Sequence, residues 1–266
     1  MKDLQEKAAR MNKHQTALTS LALLAFSCIA ASAETTVGLG AILVPQFEGS
    51  SDFTTQVAPS FSFKNGKISA RSAGPGLEAD LLSSRAFDAG PILRYNFGRT
   101  GANIDNAQVS ALPDIDGGIE LGGYAQLNFP VGGFKTFLSP RVSVVQGVQG
   151  GATGTLVEAS VGLLRLQGDW TLGARASTIY ANADYMTTNF GVDAGSASGL
   201  APFNAGAGIK DVGLSLFANY KINEQFSITG VAGYKVLMND AADSPIVSVA
   251  GSKEQMFVSV GISFGF

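Results

Sequence analysis

FVSVGISFGF, residues 257–266, alternates apolar and small residues from Val258 to Phe266. Successive side chains of a strand point to opposite faces, so one face is continuously apolar and the other is nearly bare. An exposed apolar edge strand recruits other strands, whereas a barrel that closes on its first strand has no such edge. This strand therefore predicts an all-β, antiparallel transmembrane β-barrel whose apolar face meets lipid. The lipid-facing residues, which we also take as the C-terminal strand signal, are Val258, Val260, Ile262, Phe264 and Phe266.

The first 33 residues have the pattern of an export signal. An apolar run at 17–31 follows a basic start, and Ala31-Ser32-Ala33 fits a cleavage site. Translation could begin at Met1 or at Met11, because the shorter segment is a sufficient signal. We disfavour lipid attachment at Cys28, because the two residues at 25 and 26 do not fit that motif. We expect a cleaved signal peptide at 1–33 and a barrel domain at 34–266.

Beyond residue 33 the sequence contains neither cysteine nor histidine. Disulfides, zinc sites of cysteine and histidine, and serine–histidine catalysis are therefore excluded there. The full chain has 18 basic and 21 acidic residues, of which 4 and 2 lie in the first 33, so the remainder carries a net charge of −5. An acidic protein binds nucleic acid poorly. We expect no enzyme activity, no cofactor, no metal site and no nucleic-acid partner.

Ten strands with period-two alternation follow the signal, and no window approaches the length of a membrane helix. Residues 67–82 form either two short strands about Gly74-Pro75-Gly76 or one long strand. We predict twelve strands, with ten as the fallback. The ten clear strands are 37–44, 55–63, 88–97, 118–129, 134–145, 155–166, 170–180, 212–222, 226–237 and 257–266.

Short and long connections alternate along the chain, which is typical of outer-membrane barrels with short periplasmic turns and long outer loops. A soluble periplasmic β-sandwich is the alternative, but its strands need no aromatic ends. Such ends occur at Phe97, Phe129, Trp170 and Tyr220. We therefore predict a monomeric barrel in a Gram-negative outer membrane, in contact with its lipid and lipopolysaccharide.

Five predicted strands each place one charged side chain on the lumen face, and the sign alternates from strand to strand. Since neighbouring strands lie about 4.8 Å apart, these side chains could form a continuous ladder of ion pairs. The ladder could be a charged constriction that selects solutes, or a structural network that fills the lumen. We favour the structural role, because alternating sign neutralises the row. The residues are Arg94, Glu120, Arg141, Glu158 and Arg175.

The long outer connections carry many acidic residues and few bases. Divalent cations could bridge them to lipopolysaccharide, but we expect ordinary solvated loops, in which acidic residues form turns. The acidic residues are Glu48, Asp52, Asp105, Asp114, Asp116, Asp184, Asp193, Asp240 and Asp243.

Seven stretches in order along the chain resemble the MipA/OmpV family of outer-membrane proteins, a family named for interaction with a murein hydrolase. They are GLGAILVPQFEGS at 38–50, AGPILRYNFGR at 89–99, DIDGGIELGGY at 114–124, YMTTNFGV at 185–192, SASGL at 196–200, NDAADSPIV at 239–247 and the SFGF terminus. The first outer loop is shorter here than is usual in the family.

The resemblance implies a non-enzymatic scaffold in cell-envelope maintenance. Family members are described as holding a lytic transglycosylase and a penicillin-binding murein synthase together at the outer membrane. Others are linked to outer-membrane permeability, so a small diffusion pore or gated channel for solutes or antibiotics is the alternative. An outer-membrane barrel of this kind also implies insertion by the barrel-assembly machinery.

Overall fold

The computed structural model describes residues 34–133 and 135–266, so the expected signal peptide lies outside the described residues. Its strands are β1 Glu34–Pro45, β2 Phe53–Asn65, β3 Ile68–Ser72, β4 Gly76–Asp80, β5 Leu82–Ser83, β6 Phe87–Asn96, β7 Gly118–Leu127, β8 Phe129–Pro130, β9 Thr136–Gly150, β10 Thr155–Gln167, β11 Trp170–Ala181, β12 Gly208–Lys221, β13 Phe226–Leu237 and β14 Glu254–Gly265. The helices are a 3₁₀ turn at Gly101–Asn103, α1 Ala107–Ser110, α2 Ala183–Phe190, α3 Asn239–Asp243 and α4 Pro245–Ser248. None of the helices in the described ranges has the length and apolar character needed to cross a membrane.

The strands form one antiparallel sheet that closes on itself, with β14 paired to β1. Two short strands are extensions: β5 follows β4 along β6, and β8 follows β7 along β9. The fourteen strands therefore occupy twelve positions in the wall. The predicted twelve-stranded barrel is confirmed, and residues 67–82 contribute the two short strands β3 and β4.

The closing strand has the predicted faces. Val258, Val260 and Ile262 are each more than half exposed on the outside of the wall. Ser259, Gly261 and Ser263 alternate with them on the inside. This pattern follows from the two-residue period of a strand whose outer face meets lipid.

One end of the barrel carries the short turns together with Glu34 and Phe266, and we call it the turn end. Aromatic side chains cluster there: the ring centroids of Trp170 and Tyr220 lie 4.7 Å apart, and those of Phe226 and Phe264 lie 5.1 Å apart. The opposite end, which we call the loop end, carries the long connections. In outer-membrane barrels the short turns face the periplasm, so the loop end faces outward.

The seam between β1 and β14 depends on a glycine pair. A Cβ atom at Gly40 would lie 2.4 Å from the carbonyl oxygen of Val260 and 2.8 Å from the Cα of Gly261, which faces it across the seam. We expect Gly40→Val to lower the fraction of barrel that folds, because the seam backbone would have to separate.

Heat-modifiable gel mobility of the refolded protein measures that fraction. Gly230→Val on β13 is the matched control, because a Cβ there meets nothing within 4 Å. Equal folded fractions for the two variants would show that close approach at the seam is not required for closure.

The five longer loop-end connections, 46–52, 97–117, 151–154, 182–207 and 238–253, fold together, and we call them the cap. They were expected to be solvated loops, and that prediction is wrong for much of their length. Phe190, Met186 and Ile246 are at most 1% exposed. The cap contains helices α1 to α4, and burial of their apolar faces is what orders it.

Two apolar clusters explain where the cap lies. The first joins cap residues such as Tyr185 and Phe190 to inward-facing wall residues on β6, β7, β9, β10 and β13. The second lies within the connections and includes Phe47, Ile104 and Ile246. The wall residues of the first cluster include Ile92, Tyr124, Val145, Leu156 and Leu237. The cap therefore packs into the loop end of the lumen. The connection between the predicted strands 134–145 and 155–166 is shorter than their bounds imply, because β9 continues to Gly150.

Candidate functional site

Glu48, in the first connection, is the centre of a charged cluster that fastens the cap to the wall. Its carboxylate forms ion pairs with Lys210 of β12 and with Lys235 of β13, the latter at 2.7 Å. The hydroxyl of Tyr185 on α2 donates to Glu48 Oε2 at 2.8 Å. One carboxylate thus links a connection, a cap helix and two wall strands.

A β-bulge makes this cluster possible. Adjacent residues of a regular strand face opposite sides, yet Lys210 and Asp211 are both buried, with 2% and 1% exposure. Ile179 of β11 pairs with Asp211, but Tyr180 pairs with Ile209, so the register shifts and Lys210 has no partner on β11. A bulge leaves one residue unpaired and re-aims side chains. Lys210 therefore lies against both Glu48 and Asp211, with Nζ 2.7 Å from Asp211 Oδ2.

The charges of this cluster change the acidity of the cap groups. Burial raises the pKa of Glu48, but the ammonium groups of Lys210 and Lys235 outweigh it and hold that pKa well below its usual range. Burial, together with the carboxylate of Glu48, raises the pKa of the Tyr185 hydroxyl. Glu48 therefore stays ionised and Tyr185 stays a hydrogen-bond donor at neutral pH.

This lowered pKa predicts a pH dependence of cap stability. A carboxyl group whose pKa is lower in the folded state stabilises that state above its unfolded pKa, here about 4.5, and loses the contribution as the pH falls further. We expect hydrogen exchange at the Gly49 and Ser50 amides to stay slow down to about pH 4.5 and to accelerate below it. Exchange rates corrected for intrinsic pH effects measure this.

Glu48→Gln is the control for this titration, because it cannot ionise. We expect its exchange rates, corrected in the same way, to show no transition below pH 4.5. An unchanged wild-type protection between pH 6 and pH 3 would contradict the role of the Glu48 charge.

Other cap contacts are neutral hydrogen bonds. Gln255 of β14 accepts from the Gly49 amide at 3.0 Å and donates to the Ser50 carbonyl at 3.1 Å. Asn106 donates to the Ala250 carbonyl at 3.0 Å, and Ser244 donates to the Phe190 carbonyl at 2.6 Å. These bonds tie the connections to one another and to the closing strand.

Arg99 occupies a buried position beside a small cavity in the cap. Its Nη1 donates to the Asn189 carbonyl at 3.0 Å. Burial lowers its pKa to about 10, against the opposing effect of the Asp114 carboxylate. The guanidinium therefore remains charged at neutral pH. The cavity has a volume of about 70 Å³ and is lined by Phe47, Glu48, Asn96, Gly98, Arg99, Tyr185 and Asn189.

The predicted ladder in the lumen is found only in part. Arg94 and Glu120 form an ion pair on neighbouring strands β6 and β7. Arg141 does not continue the row, since it pairs with Glu78 of β4. Two strands, β6 and β7, separate β4 from β9, on which Arg141 lies. The ion pair of Arg141 therefore runs across the lumen.

The remaining two residues of the ladder lie near its other charges but are not joined to it by ion pairs. Within the described ranges, neither Glu158 nor Arg175 has an oppositely charged group within 4 Å. The prediction of a continuous row of pairs is therefore wrong, because side chains that project into a curved lumen can meet partners from distant strands. Whether the five residues act as a constriction or as a structural network stays a prediction.

The predicted ladder did not include the acidic residues that pair with Arg71 and Arg141. Arg71 contacts Glu78 at 3.0 Å and Asp80 at 2.9 Å, and the Arg141 guanidinium lies 3.9 Å from the Tyr124 ring centroid. These acids lie on β4, in the region whose strands were left open. Once two short strands are assumed there, Glu78 and Asp80 share a face with period two. That alternation is the signal that could have found them.

Within the described ranges, no group of three or more histidine, cysteine, aspartate or glutamate side chains converges as a metal site requires. The charged groups of the cap and lumen are instead arranged as ion pairs between elements. Chemically, this arrangement joins the cap to the wall and spans the lumen.

Several solved structures are similar to this chain at about one-tenth sequence identity. The toluene transporter TodX of Pseudomonas putida is 10% identical, with 89% of this chain and 90% of that chain covered and a TM-score of 0.39. The translocator domain of the autotransporter NalP of Neisseria meningitidis is 10% identical, with coverages of 98% and 97% and a TM-score of 0.42. An anion-selective porin of Comamonas acidovorans is 9% identical, with coverages of 87% and 98% and a TM-score of 0.38.

No curated protein matches the chain. The model of the family described as MltA-interacting protein MipA matches residues 37–266, which is nearly the whole described barrel. The twelve-position barrel and its lipid-facing strands agree with the resemblance seen in the sequence, and they place the protein in a Gram-negative outer membrane. The chain therefore belongs to the MipA family.

Proposed function

We propose that this protein is a non-enzymatic scaffold of the outer membrane that holds a lytic transglycosylase and a penicillin-binding murein synthase together during cell-envelope maintenance. The observation that carries the proposal is the occupied lumen. The cap packs against inward side chains at the loop end, and the ion pair between Arg141 and Glu78 crosses the interior below it. Such a barrel is suited to presenting surfaces, and the family description names a protein partner.

The binding surface for periplasmic enzymes would lie at the turn end. The turns there are short: Gly168 and Asp169 separate β10 from β11, and residues 222–225 separate β12 from β13. No single turn offers the roughly 800 Å² that each partner contributes to a stable interface. Partners would therefore contact several turns at once, together with the chain near Phe266.

A binding measurement with purified components tests this function. The refolded barrel, in detergent micelles, is combined with a lytic transglycosylase and a murein synthase from the same envelope, and the sedimentation of each mixture is followed. We expect a ternary complex that forms only when the barrel is present. If neither enzyme binds a correctly folded barrel at micromolar concentration, the scaffold function is wrong.

A gated channel is the second candidate, and the way the cap is held favours it. The fastening of Glu48 to Lys210 and Lys235 is non-covalent, and no cysteine beyond residue 33 could lock the cap by a disulfide. Single-channel recording in planar bilayers distinguishes the candidates. Steady conductance that changes in Arg141→Ala or Glu120→Ala supports transport, whereas a silent bilayer containing folded barrel supports the scaffold.

A further inference from the structure

Six basic side chains surround the turn end of the barrel, and we call them the basic collar. All six are exposed. Within the described ranges, none of them has an acidic group within 4 Å. The collar comprises Lys64, Lys67, Arg85, Lys135, Arg165 and Lys221.

The two ends of the barrel differ in charge. Only three exposed acidic side chains, Glu34, Asp169 and Glu224, share the turn end with the collar in the described part of the chain. The loop end has the opposite balance, with Lys253 as the exposed base among the described residues. The exposed acids of the loop end are Asp105, Asp114, Asp116, Asp184, Asp193, Asp243 and Glu254. A chain that is acidic overall thus keeps all but one of its unpaired exposed bases, among the described residues, at the turn end.

The collar lies at the depth of lipid headgroups. Arg165 lies on the lipid-facing side of β10 and pairs with Leu172, two residues from Trp170, whose ring packs against Tyr220 at 4.7 Å between centroids. Aromatic side chains of membrane proteins occupy the interface between hydrocarbon and headgroups. Lysine and arginine beside them extend their charged groups away from the hydrocarbon. The ammonium and guanidinium groups of the collar are therefore at the level of phosphate.

We propose that the basic collar is a binding site for the phosphate groups of anionic phospholipids in the leaflet at the turn end. Arginine can hold a phosphate with two parallel hydrogen bonds, and lysine supplies three donors from a point charge. Unpaired bases at a membrane surface attract anionic lipids, and their effects add. This inference goes beyond the scaffold function and does not depend on it, because it concerns lipid and not an enzyme partner.

The position of the bases favours lipid over an acidic protein or the murein polymer. Arg165 lies on the lipid-facing side of β10, between Leu163 and Trp170 along the chain, and not in a turn that projects from the membrane. A partner in the periplasm would meet the turns first, whereas the nearest anions to Arg165 are those of the surrounding leaflet.

Trp170 is the only tryptophan of the chain, and it lies within the region to be tested. Its fluorescence in reconstituted vesicles can be quenched by brominated phosphatidylglycerol or by brominated phosphatidylcholine at the same overall composition. We expect the anionic lipid to associate near Trp170 at least about twofold more strongly than the zwitterionic lipid. The preference should shrink in 0.5 M salt, where charges are screened beyond about 4 Å.

Two variants and a control assign the preference to the collar. Arg165→Gln removes the lipid-facing base near Trp170, and Lys135→Gln removes the turn base whose carbonyl accepts from the neighbouring Leu166 amide. Each is expected to lower the preference toward one. Lys253→Gln removes an exposed base at the loop end and should leave the preference unchanged. Heat-modifiable gel mobility confirms that each variant is folded before quenching is measured.

Four outcomes would overturn the proposal. Equal quenching by the two lipids in the wild-type protein would show that the collar does not bind anionic lipid. A preference that survives both substitutions would show that the anionic lipid binds elsewhere. Loss of the preference on adding millimolar inorganic phosphate would identify free phosphate as the ligand. Weaker binding of the variants to isolated murein, with lipid preference intact, would assign the collar to that polymer.

Discussion

Replacing Glu48 with alanine is expected to release the first connection and loosen the whole cap. The substitution leaves Lys210, whose side chain is 2% exposed, with Asp211 as its remaining counter-ion, and it removes the acceptor for the Tyr185 hydroxyl. Removing one partner of a buried ion pair costs about 3–5 kcal/mol. We take the lower value, since the side chains of Glu48 and Lys235 are 18% and 33% exposed and water screens part of the interaction.

Hydrogen exchange of the cap amides measures this release. About 3 kcal/mol corresponds to roughly a hundredfold fall in protection, if the cap opens as a cooperative unit. Glu254→Ala is the matched control, because Glu254 is an exposed acid at the same end and forms no ion pair within 4 Å in the described structure. Equal protection in the two variants would show that the apolar clusters alone hold the cap.

The same variant separates the two candidate functions. If the protein is a scaffold, Glu48→Ala should still bind murein enzymes, because the turn end lies at the other end of the barrel. If it is a gated channel, Glu48→Ala should raise the fraction of time that conductance is observed. Measuring both properties on one refolded preparation tells a loosened cap apart from an unfolded barrel.

The barrel wall could be predicted because its determinants are local. The strand at 257–266 shows its two faces in ten consecutive residues, and the outward positions of Val258, Val260 and Ile262 follow from the pleat alone. Closure on β1 also follows, since the partner strand at 37–44 carries the same alternation and its glycines allow close approach at Gly40. The count of twelve needed one further step, the division of residues 67–82.

The cap could not be predicted in this way, because its contacts join residues far apart in the chain. Glu48 meets Lys210 and Lys235 across more than 160 positions, and nothing in the local pattern relates them. The sequence showed Tyr185 and Phe190 within a long connection, but no periodicity indicated what would cover them. The bulge that turns Lys210 inward depends on the pairing of β11 with β12, which a single strand does not reveal.

Glu78→Gln is expected to destabilise the barrel strongly, although this residue was not among those predicted from the sequence. Glu78 accepts from Arg71 and from Arg141. Arg71 would keep its contact with Asp80, but the Arg141 side chain, 5% exposed, would lose its only ion pair within 4 Å among the described residues. An uncompensated buried charge costs about 3–5 kcal/mol, even when the replacement keeps the shape of the side chain.

Glu158→Gln is the matched control, because Glu158 also faces the lumen but has no base within 4 Å in the described ranges. We expect its free energy of unfolding, measured by denaturant titration with Trp170 fluorescence, to stay within about 0.5 kcal/mol of wild type. If the predicted continuous ladder existed, removing the Glu158 charge would lower the free energy of unfolding as much as removing any other charge of the row. A large loss in Glu158→Gln with a small one in Glu78→Gln would therefore favour the row along the wall. The opposite result would mean that the lumen is held by pairs that cross it.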